Sequence, residues 1–320
     1  MKWLQLALAA LLFGLSAGAH AAFPDKPIKI IVGFPPGGPL DTHARLLVDQ
    51  LQKNLGQPVL IDYKPGAGGS IGADFVIKSP ADGYTLLMAN TGTMVINPFV
   101  YTKNIYQTLR DFTPIARTAQ QPLALAINND VPVKTFAEFV AYAKKNPGKV
   151  NYGSAGNGGI SHLVPEMLKD ATGIDMVHVP YKGSAPAFTD LLAGQVQFMA
   201  ESIPQITQYL KAGKVRVLAM TGKERNSAIP DIPTMAESGV KDFEVVGFYG
   251  VLAPAKLPAD VTARLTDAFR KTLANEEVRT RMVQQGADPA YLDSAQFSQF
   301  LQIETARWSA AVKKAAVKLD

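Results

Sequence analysis

Short apolar runs alternate with segments of helical periodicity along most of the chain. Ile28-Lys29-Ile30-Ile31-Val32 is a β-rich run, Pro35-Pro36-Gly37-Gly38 is a turn, and apolar residues then recur at helical spacing from Ala44 to Leu55. The same succession of strand, glycine turn and helix follows from Val59, and again in a second series from Leu123. Strands that alternate with helices predict parallel sheets joined by right-handed crossovers.

The C-terminal part of the chain has a different pattern. A strand-like run over residues 245–253 is followed by two amphipathic segments, which predict helices over 259–275 and 294–318. No strand is predicted to accompany these helices. We therefore expect them to pack on the sheet of the first series.

These patterns predict an α/β protein of two lobes, each a mostly parallel sheet flanked by helices. Residues 22–122 plus 245–320 form lobe 1 in this prediction, and residues 123–244 form lobe 2. The chain then crosses between the lobes twice, near Gln120-Gln121-Pro122 and near residues 245–249. Two crossings make a hinge, and the cleft between the lobes is the expected ligand site.

Residues 1–21 have the three-part pattern of a secretory signal peptide. Lys2 precedes an apolar run from Leu4 to Leu15, and Ala19-His20-Ala21 is a cleavage motif. The run is shorter than the roughly 20 residues that a membrane-spanning helix needs. The pattern predicts export to the periplasm with cleavage before Ala22.

Composition removes several functional classes. The chain has no cysteine, which excludes disulfides, Cys-ligated metal and a lipid anchor on an N-terminal cysteine. The formal net charge is +5, but the lysines and arginines are scattered instead of forming the basic stripe typical of nucleic-acid binding. His43 and His178 have no partner at metal-ligand spacing, so we expect neither a metal nor a cofactor.

Two glycine turns are the strongest candidates for a ligand site. One contains Gly37 and Gly38, and the other runs from Ser154 through Asn157, Gly158 and Gly159. Each connects a predicted strand to a helix, where free backbone N–H groups and the helix dipole favour an anion. One such loop in each lobe predicts that both hold the same carboxylate, although ordinary tight turns would have the same sequence.

Further candidates are single side chains near these turns and at the predicted edges of the lobes. Asp41 is expected chiefly to stabilise a helix N-terminus, and His162 either donates to a ligand or makes a structural hydrogen bond. Glu201 follows a predicted strand over 196–199 and either faces the cleft or is a surface carboxylate. The remaining candidates, which could shape the ligand site or pack the hinge, are Phe34, Thr91 and Phe248.

A catalytic alternative comes from Gly68-Gly69-Ser70-Ile71-Gly72, which fits the G-x-S-x-G motif of serine hydrolases and lies between a strand and a helix. Only two strands are predicted before Ser70 in the mature chain, whereas that hydrolase fold builds several before its nucleophile. The preceding turn also lacks the histidine of the usual oxyanion-hole motif. We therefore predict a protein that is not an enzyme, with a Ser70 hydrolase as the alternative.

The chain resembles the periplasmic binding proteins of tripartite tricarboxylate transporters, the TctC or Bug family. Motifs that carry the resemblance occur in order along nearly the whole mature chain; they include IVGFPPGGPLD from Ile31, KPGAGG from Lys64, DGYTLL from Asp82, YGSAG from Tyr152 and HVPYKG from His178. The resemblance implies a Venus-flytrap fold that closes on an organic anion, held by backbone amides and bridging water at the two glycine turns. It also implies delivery of that anion to a membrane permease. We expect a monomer, and presentation of the loaded protein to a sensor kinase is an alternative that the sequence does not separate from transport.

Three positions depart from the family pattern. Glu201 stands where Asp is usual and, in members that bind amino acids, faces the ligand's ammonium group. Phe248 replaces a common Trp, and Gly159 replaces a common Ser. The resemblance therefore leaves open which carboxylate is bound.

Overall fold

The structure, a computed structural model, describes residues 23–103, 105–285 and 287–319. The predicted signal peptide, residues 1–21, lies outside these ranges. Among the described residues, no helix has both the length and the apolar character needed to span a bilayer.

The described residues form ten strands and eleven α-helices. The strands are β1 (Ile28–Val32), β2 (Val59–Tyr63), β3 (Thr85–Asn90), β4 (Phe112–Asn128), β5 (Val150–Ser154), β6 (Met176–Pro180), β7 (Phe198–Ser202), β8 (Val215–Met220), β9 (Val246–Pro254) and β10 (Asp288–Leu292). The α-helices are α1 (Pro39–Leu55), α2 (Ser70–Ile77), α3 (Asn97–Val100), α4 (Thr108–Asp111), α5 (Phe136–Lys145), α6 (Ile160–Thr172), α7 (Ser184–Leu192), α8 (Ile203–Lys211), α9 (Ala259–Ala274), α10 (Glu276–Gln284) and α11 (Ser294–Lys314). A 3₁₀ turn (Ala67–Gly69) precedes α2, and a π-helix (Gly92–Ile96) precedes α3.

All ten strands belong to one mixed sheet. Its order is β2-β1-β3-β9-β4-β7-β5-β6, and β8 and β10 also pair with β4. β1 is parallel to β2 and β3, and β5 is parallel to β6 and β7. The strands between these two groups are antiparallel to their neighbours. The fold is therefore α/β, with a parallel group on each side of an antiparallel centre, as in a two-lobed binding protein.

The two segments predicted to cross between the lobes are neighbouring strands. β4 pairs with β9 over Phe112–Pro122 and with β7 over Leu123–Ile127, so one strand runs through both halves of the sheet. Gln120 lies opposite Phe248, and Gln121 lies opposite Gly247. Strands β4 and β9 are antiparallel because β4 leaves the first half of the sheet and β9 returns to it. The lobe boundaries at residues 122 and 245 stay a prediction.

Two predictions about strands were wrong. The C-terminal helices do have a strand partner, because β10 follows α10 and pairs antiparallel with β4. Its sequence Asp-Pro-Ala-Tyr-Leu has neither β-branched residues nor alternating burial, and therefore gave no strand signal. The strand predicted over 196–199 instead spans Phe198–Ser202, because Ala200 and Glu201 pair with β4 despite their modest β propensity.

The last helix joins the two halves from one side of the sheet. α11 contacts β4, the π-helix and α6. Its Trp308 is fully buried and donates from Nε1 to Oε2 of Glu304 at 2.9 Å. Helix α11 therefore packs in the core beside the crossing strand β4 and contacts both halves of the chain.

Candidate ligand-binding site

A cavity of about 440 Å³ lies beside the crossing strands. The first half of the chain contributes the start of α1 and the end of β3, and the second half contributes the β7–α8 junction and the start of α6. The crossing strands contribute Gln121, Gly247, Phe248 and Tyr249, and the α10–β10 connection contributes Gln285 and Ala287. Within the described ranges, no lysine or arginine lines this cavity.

Four of the twelve predicted site residues line the cavity: Gly37, Thr91, Glu201 and Phe248. The other eight lie outside its wall; they are Phe34, Gly38, Asp41, Ser154, Asn157, Gly158, Gly159 and His162. The structure therefore brings together part of the predicted set. From the second half of the chain, the cavity is lined by Ile160, Ser202, Pro204 and Gln205 in addition to Glu201, and not by the second glycine turn.

Asp41 organises the first glycine turn. Its buried carboxylate accepts hydrogen bonds from the Gly37 amide at 2.7 Å, the Tyr63 hydroxyl at 2.7 Å and Nε of Arg45 at 3.0 Å. Burial raises the pKa of Asp41, but these hydrogen bonds outweigh it and leave the pKa below its ordinary value. The Gly37 N–H is thus bound within the protein, and Asp41 holds the turn instead of facing the cavity.

Phe34 precedes this turn but does not form a wall of the cavity. Its ring packs against Gly69, where an added Cβ would lie 3.0 Å from the ring, and it joins the core of the first half. Phe34 therefore anchors the turn to the segment before α2.

The second glycine turn directs its amides inward. Gly156 donates to Oγ of Ser154 at 3.2 Å, and Gly158 donates to Nδ1 of His162 at 3.1 Å. Gly158 has a φ of 74°, and a Cβ there would lie 2.9 Å from Cγ1 of Val100. The Gly156 and Gly158 amides therefore already have acceptors within the protein, and Gly158 is needed for packing, so these two residues do not support the predicted carboxylate cradle.

Two stacked imidazoles support the same turn. His162 and His178 have ring centroids 3.7 Å apart, and Tyr152 stacks on His178 at 4.9 Å. Nε2 of His178 lies 2.6 Å from Oγ of Ser154. Burial lowers the pKa of both histidines, that of His178 to about 4, so both rings are neutral at pH 7. His162 therefore has the structural role that the sequence left open.

Thr91 connects the end of β3 to the returning crossing strand. Its hydroxyl accepts the N–H of Phe248 at 2.7 Å. The neighbouring Asn90 uses its carbonyl oxygen to accept the N–H of Thr93 at 2.9 Å. Asn90 also lines the cavity and was not predicted from the sequence.

Phe248 and Tyr249 extend from opposite faces of β9, as successive strand residues do. The Phe248 ring packs edge-on against Phe297 and Phe300, at centroid distances of 5.7 and 5.3 Å. The Tyr249 ring lies 4.8 Å from the ring of His43. Phe248 therefore fixes the crossing strand against α11 as well as lining the cavity.

His43 is a cavity residue that the sequence analysis considered only as a metal ligand. Its Nε2 lies 2.8 Å from Oγ1 of Thr118, and that hydroxyl donates to the carbonyl of Tyr249 at 3.2 Å. Because the one hydrogen of the Thr118 hydroxyl is donated to Tyr249, the Thr118 oxygen acts as the acceptor toward His43. Nε2 of His43 therefore carries the hydrogen and donates it. Burial lowers the pKa of His43 to about 3, so the ring is neutral. The sequence could have indicated His43 as a cavity residue, because it lies near the start of the helix that follows Gly38.

Glu201 lies inside β7 and is 7% exposed. Oε2 accepts from the Ser184 hydroxyl at 2.5 Å, and Oε1 accepts from the Ser202 amide at 2.8 Å. Burial raises the pKa of Glu201, and these hydrogen bonds offset part of that rise. Among the described residues, no cation forms an ion pair with it. Glu201 thus faces the cavity and is the only acidic side chain in its described lining.

Ser70 lies apart from the cavity and from the histidines of the described chain. Its Oγ is 3.1 Å from Nδ2 of Asn97 and 3.5 Å from the Tyr106 hydroxyl. His43, His162 and His178 each hydrogen bond elsewhere, as described above. None of these three histidines therefore hydrogen bonds to Ser70 as the base of a hydrolytic serine would.

Solved structures place this fold among the periplasmic binding proteins. The periplasmic binding protein BugD is 35% identical with a TM-score of 0.75, over 92% of this chain and 99% of that chain. Rpa4515 of R. palustris, solved with adipate, is 32% identical with a TM-score of 0.80, over 92% and 99%. MatC of Rhodopseudomonas palustris, solved with malate, is 33% identical with a TM-score of 0.74, over 91% and 100%.

The sequence comparisons give the family. Residues 43–317 match the model of TctC, the tripartite tricarboxylate transporter family receptor. Protein BugT of Bordetella pertussis is 34% identical over 96% of this chain and 94% of its own length. The chain belongs to the TctC family of periplasmic solute-binding proteins, as the resemblance of its motifs implied.

Proposed function

We propose that this chain is a non-catalytic, extracytoplasmic solute-binding protein that captures a small organic carboxylate and delivers it to a membrane permease. The observation that carries the proposal is a single cavity of about 440 Å³ with walls from both halves of the chain and from both crossing strands. That volume suits a small organic acid. Relatives solved with adipate and with malate support a carboxylate as the ligand.

The carboxylate is recognised by neutral donors in this proposal. The first turn of α1 leaves backbone N–H groups without intrahelical acceptors, and its dipole favours an anion. The carbonyl oxygen of Asn90 is already bonded to Thr93, which leaves its amide nitrogen to donate to a ligand. Ser202 and Gln205 add polar groups at the start of α8. The revised site is therefore the cavity lining, with Gly37, Thr91, Glu201 and Phe248 kept from the original set.

The two-lobe division explains how such a site would close. Residues 22–122 plus 245–320 form one lobe and residues 123–244 the other, with β4 and β9 as the hinge. Rotation about these strands brings the start of α1 toward the β7–α8 junction. A mature monomer, exported by cleavage after residue 21, would do this in the periplasm. Presentation of the loaded protein to a sensor kinase is the alternative destination, and the presence of permease genes or of two-component genes beside its own distinguishes them.

A thermal-shift screen of mono-, di- and tricarboxylates, aromatic acids and acidic amino acids tests the binding function. A ligand at a hundred times its Kd adds about 2.7 kcal/mol of stability, which raises the melting temperature of a protein of this size by roughly 4 °C. Failure of every organic anion to change the melting temperature would refute carboxylate capture.

The hydrolase alternative has its own variant. Ser70→Ala should leave the ligand-induced shift unchanged, because Ser70 does not line the cavity. An esterase activity that the purified protein loses on this substitution would instead establish catalysis.

A further inference from the structure

A second pocket lies next to the cavity, beside the start of α1. It has a volume of about 430 Å³ and shares Gly37, Thr42 and Gln285 with the cavity, so the two spaces adjoin along these residues. We name it the side pocket; its remaining lining residues are Pro36, Asp41, Arg45, Leu46 and Arg281. A ligand that extends past these three shared residues would therefore reach the side pocket.

The side pocket differs from the cavity in charge. It contains two arginines, whereas the described lining of the cavity contains the acidic Glu201 and no lysine or arginine. An ionised Glu201 would repel a second negative charge on the ligand, and the described lining of the cavity has no cation to balance that charge. The arginines of the side pocket could compensate such a charge.

The two arginines are not equally available. Arg45 donates from Nε to both carboxylate oxygens of Asp41, at 3.0 and 3.1 Å, and so neutralises a buried acid. Arg281 has one ion-pair partner among the described residues, Glu277 at 4.0 Å, and the two side chains are 52% and 81% exposed. An exposed pair at that distance is weak. Arg281 can therefore redirect its guanidinium fork to a ligand at little cost.

Gln285 completes the arrangement. It lies four residues after Arg281 at the end of α10, and side chains at this spacing lie on the same helix face. Its side chain makes no hydrogen bond within the described residues and lines both pockets. A guanidinium and a carboxamide side by side suit a carboxylate, because both donate N–H groups to its two oxygens.

We propose that Arg281 and Gln285 form a distal subsite that binds the second carboxylate of an elongated dicarboxylate, whose first carboxylate occupies the cavity. This deepens the proposed function and rests on it. The substrate class is then a dicarboxylate whose carbon chain is long enough to reach from the cavity to the side pocket.

Calorimetric titration with two matched series tests the subsite. Straight-chain dicarboxylates from succinate to suberate are compared with monocarboxylates of the same carbon number. Wild-type affinity should rise with dicarboxylate length to an optimum that the monocarboxylates lack. Arg281→Gln should weaken the best dicarboxylate about threefold to tenfold and leave a monocarboxylate that binds unchanged.

Arg279→Gln is the matched control. Arg279 lies on the same helix, is exposed and lines neither pocket, so its loss removes the same net charge without removing the proposed contact. It should leave both series unchanged. Arg281→Lys, which keeps the charge without the planar fork, should lie between the wild type and Arg281→Gln.

The outcomes separate the subsite from the general function. If monocarboxylates and dicarboxylates bind equally well, or if Arg281→Gln and Arg279→Gln have the same effect, the subsite is refuted while carboxylate capture stands. If neither series binds the wild-type protein and no other organic anion does, the proposed function fails and the subsite falls with it.

Discussion

Replacing Thr91 by valine tests how the crossing strand is held at the cavity. The Thr91 hydroxyl is the acceptor for the Phe248 N–H at 2.7 Å, and the two residues are 4% and 1% exposed. Valine has nearly the same shape but no acceptor, so the N–H is left buried and unpaired. Such a group costs about 1–3 kcal/mol. We expect the free energy of unfolding to fall by an amount near the middle of that range, which lowers the melting temperature by roughly 3 °C.

Urea unfolding followed by tryptophan fluorescence or circular dichroism measures this loss. The midpoint should fall while the denaturant slope stays constant, because the surface exposed on unfolding is unchanged. Thr91→Ser is the control, since it keeps the hydroxyl and removes only a methyl group. The reasoning is refuted if Thr91→Val is as stable as the wild type, or if Thr91→Ser loses as much stability as Thr91→Val.

Two further predictions concern the neutral histidine and the second glycine turn. Burial lowers the folded-state pKa of His43 to about 3, whereas the unfolded chain takes up that proton near pH 6.5; this stabilisation is complete above pH 6.5 and is lost as the pH falls toward 3. The free energy of unfolding, measured by urea titration, should fall between pH 7 and pH 4.5 in the wild type, and this fall should be about 2 kcal/mol smaller in His43→Gln. An equal fall in both proteins would contradict a buried neutral ring. Gly158→Ala should destabilise the fold by about 1–2 kcal/mol, because its φ is 74° and the new Cβ would lie 2.9 Å from Val100. Gly159→Ala should be tolerated, because its φ is −78° and a Cβ would have its nearest neighbour at 3.8 Å. Ligand affinity in calorimetry should stay within about twofold for both glycine variants, as expected for sites that do not couple; a large loss of affinity without a loss of stability would return this turn to the ligand site.

The sequence was most informative where local chemistry decides the outcome. The helical spacing from Ala44 to Leu55 predicted α1, which ends at Gly56 with a φ of 76° and an N–H bonded to Gln52. Strand β1 was predicted because it is a run of β-branched and apolar residues, four of which are buried. Strand β10 was missed because its pairing with β4 depends on distant residues.

The site shows the same division. The sequence identified two glycine turns as anion sites from the general chemistry of helix N-termini. Asp41 captures the Gly37 amide, and His162 captures the Gly158 amide, and neither side chain's direction can be read from spacing. Gln285 and Ala287 reach the cavity only because β10 pairs with β4 and brings the end of α10 beside α1.

The sequence by itself therefore determined the α/β class, the alternation of strands and helices, the two crossing segments and the family, because these depend on local periodicity and on ordered motifs. Only the tertiary structure decided which backbone amides are already hydrogen bonded, that β4 runs through both halves of the sheet, and which polar side chains line the cavity. These features depend on contacts between residues far apart in the chain, such as Thr91 with Phe248 and His43 with Thr118. The free energy of a buried hydrogen bond is set by the partner that the fold supplies, and the partner's identity is not encoded near either residue.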